Sequence, residues 1–435
     1  MREMKDSGVE WIGEIPKDWN VGKTLYALSM PITDGPHETP ELFDEGIPFI
    51  SAEAVSCGNG HIDFEHIRGF ISQEFYEECC KKYIPQINDI YMIKSGATTG
   101  KVAKVETQKL FTIWSPLAVF RVKPQKCYYE YLYYFIQSDA YQKQIENKWT
   151  YGTQQNIGMR TLEKLLICFP SITQQKLIAD YLDAKCSKIN EIIEKQQAII
   201  EKLKEYKLSV IIETVTKGLN PNVEMKDSGV EWIGQMPTSW DCTTVGRIAM
   251  VVRGASPRPA GDPLYFNGND VPWITVAEVT KGDGKYIDRT ETFLTFEGAK
   301  QSRIVEEGTL LLSNSGATLG VPKITRIRGC INDGSVAFYN LSINQEFLLY
   351  LFKGRTFELR KQMQGYGQPN LNTTIVKGIE VTLPTELEQK LIVDFLDQKC
   401  TAIEKTIEDR EKAIEKLQEY KKSLIYEVVT GKKEV

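Results

Sequence analysis

Met4-Lys-Asp-Ser-Gly-Val-Glu-Trp-Ile-Gly13, followed by Pro16 and Trp19, returns without a single change at Met225 to Gly234, followed by Pro237 and Trp240. Other correspondences come in the same order. Ile47-Pro-Phe-Ile-Ser51 answers Val271-Pro-Trp-Ile-Thr275, and Ser95-Gly-Ala-Thr98 with Gly100 answers Ser315-Gly-Ala-Thr318 with Gly320. Tyr151-Gly152 and Asn156-Ile157 answer Tyr366-Gly367 and Asn370-Leu371. Gln175-Lys-Leu-Ile178 with Asp180, Leu182 and Asp183 returns as Gln389-Lys-Leu-Ile392 with Asp394, Leu396 and Asp397. Collinear order on this scale excludes chance: one structural unit is written twice. The repeat is far longer than the roughly 20–45 residues of a solenoid unit, so each copy is expected to be its own domain plus a helix.

The copies diverge unevenly. At a fixed offset of 214, residues 175–216 and 389–430 agree at 24 of 42 positions, whereas 20–172 and 241–386 agree only in islands. Residues 174–216 and 388–430 contain no Pro or Gly and are rich in Glu, Lys, Leu and Ile, which predicts two very long helices. Thr173 is the expected cap of the first, and Gly218 with Pro221 its end. Shared apolar residues at Leu182, Cys186, Ile189, Ile193, Ile200, Leu203, Tyr206 and Ile211 form a coiled-coil-like stripe. Gln196-Gln197 and Arg410-Glu411 interrupt it. A helix of this length, roughly 65 Å, cannot bury such a stripe alone. Its own duplicate, packed antiparallel, is the expected partner; partner proteins covering both stripes are the alternative.

The diverged stretches carry short β-rich runs, Asp89–Ile93, Leu117–Val122, Thr309–Leu312 and Ser335–Tyr339, separated by glycine turns. Shorter helices are expected near Glu130–Lys148 and Gln345–Met363. The expected fold class is α+β: two globular α+β domains joined by two long helices that pair as an antiparallel coiled coil, in a pseudo-two-fold repeat. The expected divisions are 1–172 (N-terminal segment and first domain), 173–218 (long helix), 219–386 (linker and second domain) and 387–435 (long helix).

With 435 residues, 42% hydrophobic and 26% charged, the chain suits two or more globular domains. No apolar run approaches the roughly 20 residues of a membrane span, and the charged start MREMKDSGVEW lacks a signal-peptide core. Nine cysteines without a CxxC pair predict reduced thiols and a cytoplasmic protein. The net charge of −5 and pI near 5.6 leave a nucleic-acid partner open, because phosphate binding needs only a local basic surface.

Catalytic signatures are missing. The three histidines (His37, His61, His66) all lie in the first half, and no HExxH, zinc spacing or serine elbow occurs. Gly96-Ala-Thr-Thr-Gly100-Lys101 is one residue short of a P-loop, and its duplicate Gly316-Ala-Thr-Leu-Gly320-Val321 loses the lysine; a tight polar turn is the expected role.

Two polar loops recur instead. The first copy offers Lys94, Ser95, Thr98 and Lys101, then Thr153, Gln154, Gln155, Asn156 and Arg160. The second offers Asn314, Ser315 and Thr318, then Gln368, Asn370 and Asn372. Asn and Gln suit bidentate contacts to adenine, and Arg to guanine, in a major groove. Arg253, Arg258, Lys323, Arg326, Arg328, Arg355, Arg360 and Lys361, with Lys104, Lys123, Lys126, Lys143 and Lys148, are candidates for phosphate contacts. Singly, each such residue is more often an ordinary surface or turn residue; the recurrence of two polar loops in both domains is what supports the joint reading.

The opening KDSGVEWIGEIPKDW, a domain ending in YGTQQNI, and a proline followed by QKLIADYLD at the start of a long helix resemble the specificity (S) subunits of Type I restriction–modification systems. The resemblance covers the whole chain, twice. It implies two target-recognition domains, each reading one half of a split double-stranded DNA site. It also implies that the helices act as spacer and dock two methyltransferase (M) subunits. The methyltransferase subunits would bring S-adenosylmethionine and methylate adenine, ATP too would belong to partner subunits, with neither in this chain, and restriction (R) subunits would translocate and cleave DNA. The second copy's Tyr366-Gly-Gln-Pro-Asn370 lacks the threonine of the first, so its loop contacts are expected to differ. The competing expectations are a stand-alone methyltransferase or nuclease, whose motifs are absent, and a scaffold without DNA contact.

Overall fold

A computed structural model describes residues 2–151, 155–316, 318–362 and 371–435. The chain forms two compact units, Met1–Gln196 with Glu411–Val435, and Gln197–Arg410. Both divisions fall at the polar interruptions of the helical stripe, Gln196-Gln197 and Arg410-Glu411.

In the first unit, a four-stranded antiparallel sheet runs in the order Thr33–Asp34, Leu117–Phe120, Ile90–Ile93, Val102–Lys104. The two central strands, LAVF and IYMI, are buried at every position, so each reads as an unbroken apolar run rather than an alternation. A second, three-stranded sheet orders Phe70–Ile71, Ile47–Ile50 and Thr112–Ile113, the last pair parallel. The helix expected near 130–148 is broken into Tyr129–Gln137 and Asp139–Glu146. Ser138 takes an extended backbone and turns its hydroxyl onto the Phe135 carbonyl at 2.6 Å, a local bond that competes with helix continuation.

The second unit repeats the plan with additions. Its sheet orders Met250–Arg253, Ser335–Tyr339, Leu310–Ser313 and Pro322–Thr325, then adds a parallel edge strand, Tyr286–Ile287. The companion sheet orders Phe293–Leu294, Phe266–Ile274, Gly329–Ile331 and an extra Arg303–Val305. The expected helix near 345–363 spans Gln345–Gln362.

The long helices are Ile172–Lys217 and Glu386–Val429. Thr173 lies inside the first rather than capping it. Ser171 caps instead: its Oγ accepts from the Gln174 amide at 3.3 Å, and Gln174 Oε1 accepts from the Ser171 amide at 3.2 Å. Thr385 and Glu388 form the same reciprocal box on the second helix. Each helix ends at a glycine of positive φ, Gly218 and Gly431.

Within each unit the two helices run antiparallel. In the first, Lys421 reaches Asn190 while Lys433 lies over the Tyr181 ring, one number rising as the other falls. Leu182, Cys186 and Ile189 share one core with Leu424, Ile425, Val428 and Val429. In the second, Lys207 reaches Glu404, while Thr382 Oγ1, on the strand Glu380–Leu383 that leads into the second helix, donates to the Val215 carbonyl. Ile211 and Val215 share a core with Ile392, Val393, Leu396 and Cys400. The decapeptide copies form matching hairpins, Met4–Asp6 with Glu14–Pro16 and Met225–Asp227 with Gln235–Pro237. No helix of the described residues is long and apolar enough to cross a membrane.

Candidate nucleic-acid interface

The glycine-rich segment at 94–101 is a turn between Ile90–Ile93 and Val102–Lys104, with Gly96 and Gly100 at positive φ. Its amides are spent inward: Thr99 donates to the Gly96 carbonyl, Gly100 to Ile93 and Lys101 to Thr98. A phosphate cradle needs those amides free.

The second polar loop comes to this turn. Gly96 donates to the Gln155 carbonyl and Ile157 to the Lys94 carbonyl, both at 2.9 Å, and Ser95 bridges to Asn156. Gln155, Asn156 and Arg160 are exposed, as is Lys101, whose Nζ lies 3.4 Å from the Ser56 carbonyl. Ser95 and Thr98 are half-buried. Thr153 and Gln154 lie outside the described residues.

The second domain brings its loops together in the same way. Leu371 donates to the Asn314 carbonyl at 2.7 Å, the counterpart of Ile157 to Lys94. Ser313 Oγ donates to the Thr318 carbonyl and accepts from the Val321 amide, tightening the turn. Ser315 is half-buried and Thr318 exposed. Gln368 and Asn370 lie outside the described residues.

Several expected contacts are buried or already engaged within the protein. Asn314 is fully buried, so its amide is not presented to solvent. Asn372 is exposed, but its Oδ1 accepts from the Ile375 amide at 2.9 Å and caps the helix Thr373–Gly378. Lys323 is buried and donates to the Lys281 carbonyl; burial lowers its pKa, which disfavours a phosphate role. Lys104 is buried between Glu106 and Glu130.

Around the expected Lys94, Arg253 and Arg258 the structure adds residues that no local pattern signals. Lys94 ion-pairs at 3.3 Å with Asp34, whose side chain is 1% exposed. Lys82 reaches the same carboxylate at 2.5 Å and His37 at 3.3 Å. Arg68 stacks over the Trp114 ring at 4.2 Å. In the second domain, Arg253 Nε donates to the Asp333 carbonyl at 2.8 Å and Arg258 lies 3.6 Å from the Asp333 carboxylate. Ser256 donates to that carboxylate at 2.5 Å. No group of His, Cys, Asp and Glu suited to a metal ion occurs among the described residues.

Comparison with known proteins agrees with this doubled plan. The family described as "Type I restriction modification DNA specificity domain" matches residues 36–204 and again residues 237–415. The chain is 24% identical over 385 residues to the Type I restriction enzyme MjaVIII specificity subunit of Methanocaldococcus jannaschii, spanning 86% of this chain and 85% of that protein. It is 23% identical over 403 residues to the StySPI specificity subunit of Salmonella potsdam, spanning 89% and 83%. A solved chain described under "complex assembly and conformational transition of the type I R-M system" shares the fold, with a TM-score of 0.74 at 15% identity over 95% of this chain and 98% of that one. Carrying the DNA specificity domain in both halves, the chain belongs to the specificity subunits of Type I restriction–modification systems.

Proposed function

We propose that each α+β domain reads one half of a bipartite site in double-stranded DNA, and that the chain catalyses nothing itself. The long helices set the unread gap and dock two methyltransferase subunits. S-adenosylmethionine and ATP are bound by partner subunits, and restriction subunits complete the cleaving assembly. The assembly works in the cytoplasm, a compartment suited to nine free thiols.

One observation carries this reading. Both domains bring the same pair of loops together through the same backbone bond, Ile157 to Lys94 and Leu371 to Asn314, yet present different side chains there. A common frame with different faces suits two readers of different half-sites. Twofold docking has its own support. Leu177 and Leu391, duplicates on the two helices, are 53% and 50% exposed, and the duplicates Tyr206 and Tyr420 are 49% and 54% exposed. Large apolar groups left open at matching positions suit one kind of partner bound twice.

The test is a titration of duplex DNA with the assembled methyltransferase complex over a range of salt. Direct phosphate contact predicts a steep fall of affinity with salt, and a shallower slope when Lys101 and Arg160 are changed to Ala. An unchanged slope would favour a scaffold that leaves DNA to its partners.

A further inference from the structure

Asp34 and Arg253 hold one position in the two domains. Asp34 pairs with Ala118, next to Leu117, which pairs with Ile93; Arg253 pairs with Val336, next to Ser335, which pairs with Ser313. Ile93 and Ser313 match because each closes its turn by accepting from a glycine amide at 2.8 Å, from Gly100 and from Gly320. The next residues agree as well. A Cβ on Gly35 would lie 1.9 Å from the Ile113 carbonyl oxygen, and one on Gly254 would lie 2.1 Å from that of Asn332. Strand register therefore equates two residues of opposite charge.

The surroundings follow the inversion. A buried carboxylate is costly unless cations compensate it, and Asp34 collects the ammonium groups of Lys82 and Lys94 from two other segments, with the His37 ring three residues along the chain. Lys82 and His37 remain 46% and 72% exposed, anchored at one point with donors left toward solvent. At the matching strand end of the second domain, Arg253 and Arg258 are exposed, and Asp333 orients them from the neighbouring loop.

Unmet polar groups gather at the same place. Both amide atoms of Asn314, Asn332 Oδ1 and Ser335 Oγ have no hydrogen-bond partner among the described residues, and Trp114 Nε1 is the counterpart in the first domain. A Cβ on Gly334 would lie 3.0 Å from Ser315 Oγ and 3.3 Å from Asn332 Nδ2, so these loops touch. A buried polar group without a partner costs about 1–3 kcal/mol. Four such atoms stand beside the Arg253 strand end of the second domain and one, Trp114 Nε1, at the equivalent place of the first, an unusual density of unspent polar groups.

Resting on the two-reader function above, we propose that this strand-end position is the specificity-determining centre of each domain. Asp34 is a positioning residue that sets Lys82, Lys94 and His37 against a base edge of the first half-site. Arg253 and Arg258, set by Asp333, read the second. Anchored donors of this kind match the O6 and N7 acceptors of guanine in the major groove.

The experiment expresses the full chain with its methyltransferase subunits and maps methylated adenines across a genome. Asp34→Asn is expected to weaken base discrimination at least tenfold at one position of one half-site, leaving the other half-site and the gap unchanged. Arg258→Ala is expected to do the same in the other half-site, and Lys17→Ala, exposed beside the N-terminal hairpin, to change neither. If Asp34→Asn fails to fold, the exposed pair His37→Ala with Lys82→Ala decides by the same readout. A wild-type motif in these variants overturns the proposal, as does an equal loss of methylation at all sites with base preference intact. A contiguous motif in the unaltered complex would instead overturn the two-reader function, and the proposal with it.

Discussion

Lys207 on the first long helix donates to Glu404 on the second, Nζ to Oε1 2.7 Å, and its duplicate Lys421 donates to Asn190 at the same distance. The duplicate of Glu404 is thus a neutral amide, and the cross-helix bond survives without a charge on the acceptor. Glu404→Gln is therefore expected to be nearly neutral, whereas Lys207→Ala costs about 1 kcal/mol, discounted because Glu404 is 42% exposed. Denaturant unfolding of the two variants checks this. Equal losses in both would mean that charge, not the hydrogen bond, holds the contact.

Gly431 and Gly218 end the two helices with φ of +74° and +76°. A Cβ on Gly431 would lie 2.5 Å from the Pro16 ring and 3.0 Å from Trp19, whereas one on Gly218 would lie 3.0 Å from Trp240. Proline cannot yield, so Gly431→Ala is expected to destabilise by about 2–3 kcal/mol and Gly218→Ala by about 1. Thermal unfolding of each variant gives the ranking, and a reversed order would contradict this account of the hairpin contacts.

Asn372 caps the helix Thr373–Gly378, and that role predicts tolerance of another capping side chain. Asn372→Ser is expected to keep both stability and the methylated motif, while Asn372→Ala loses about 1 kcal/mol. A changed half-site in the serine variant, with stability intact, would show that the amide itself touches DNA.

Glu388 gives the second unit a pH dependence. Its partial burial works to raise the carboxyl pKa, but hydrogen bonds from Thr385 and from Trp240 Nε1 (3.1 Å) prevail and hold it below the ordinary 4.5. A depressed carboxylate stabilises the fold above its ordinary pKa and loses that contribution as pH falls through the folded value. Wild type should thus exceed Glu388→Gln in stability at neutral pH, with the gap closing below about pH 4.5. A gap that widened on acidification would reverse the sign of this linkage.

Legibility in the sequence tracked how local each cause is. The long helices were readable because two Pro- and Gly-free runs share one apolar stripe, and the buried strands because LAVF and IYMI are unbroken apolar runs. The cap was misplaced by two residues: Thr173 and Ser171 are both plausible hydroxyls, and only the reciprocal bond with Gln174 chooses between them. The break at Ser138 likewise rests on a hydroxyl-to-carbonyl bond that no periodicity carries. At the candidate interface, recurrence found both loops but not the role of each side chain. Asn314 reads as a polar loop residue and is buried. Asp34 and Lys94, sixty positions apart, meet only because Leu117–Phe120 lies between their strands.

The central claim, two different readers on one repeated frame, is tested most directly by mapping methylated adenines in cells that express this chain with its methyltransferase subunits. The account predicts a single motif of two unlike parts separated by a gap of fixed length in which any base is accepted. A contiguous motif, or two identical half-sites, would contradict it.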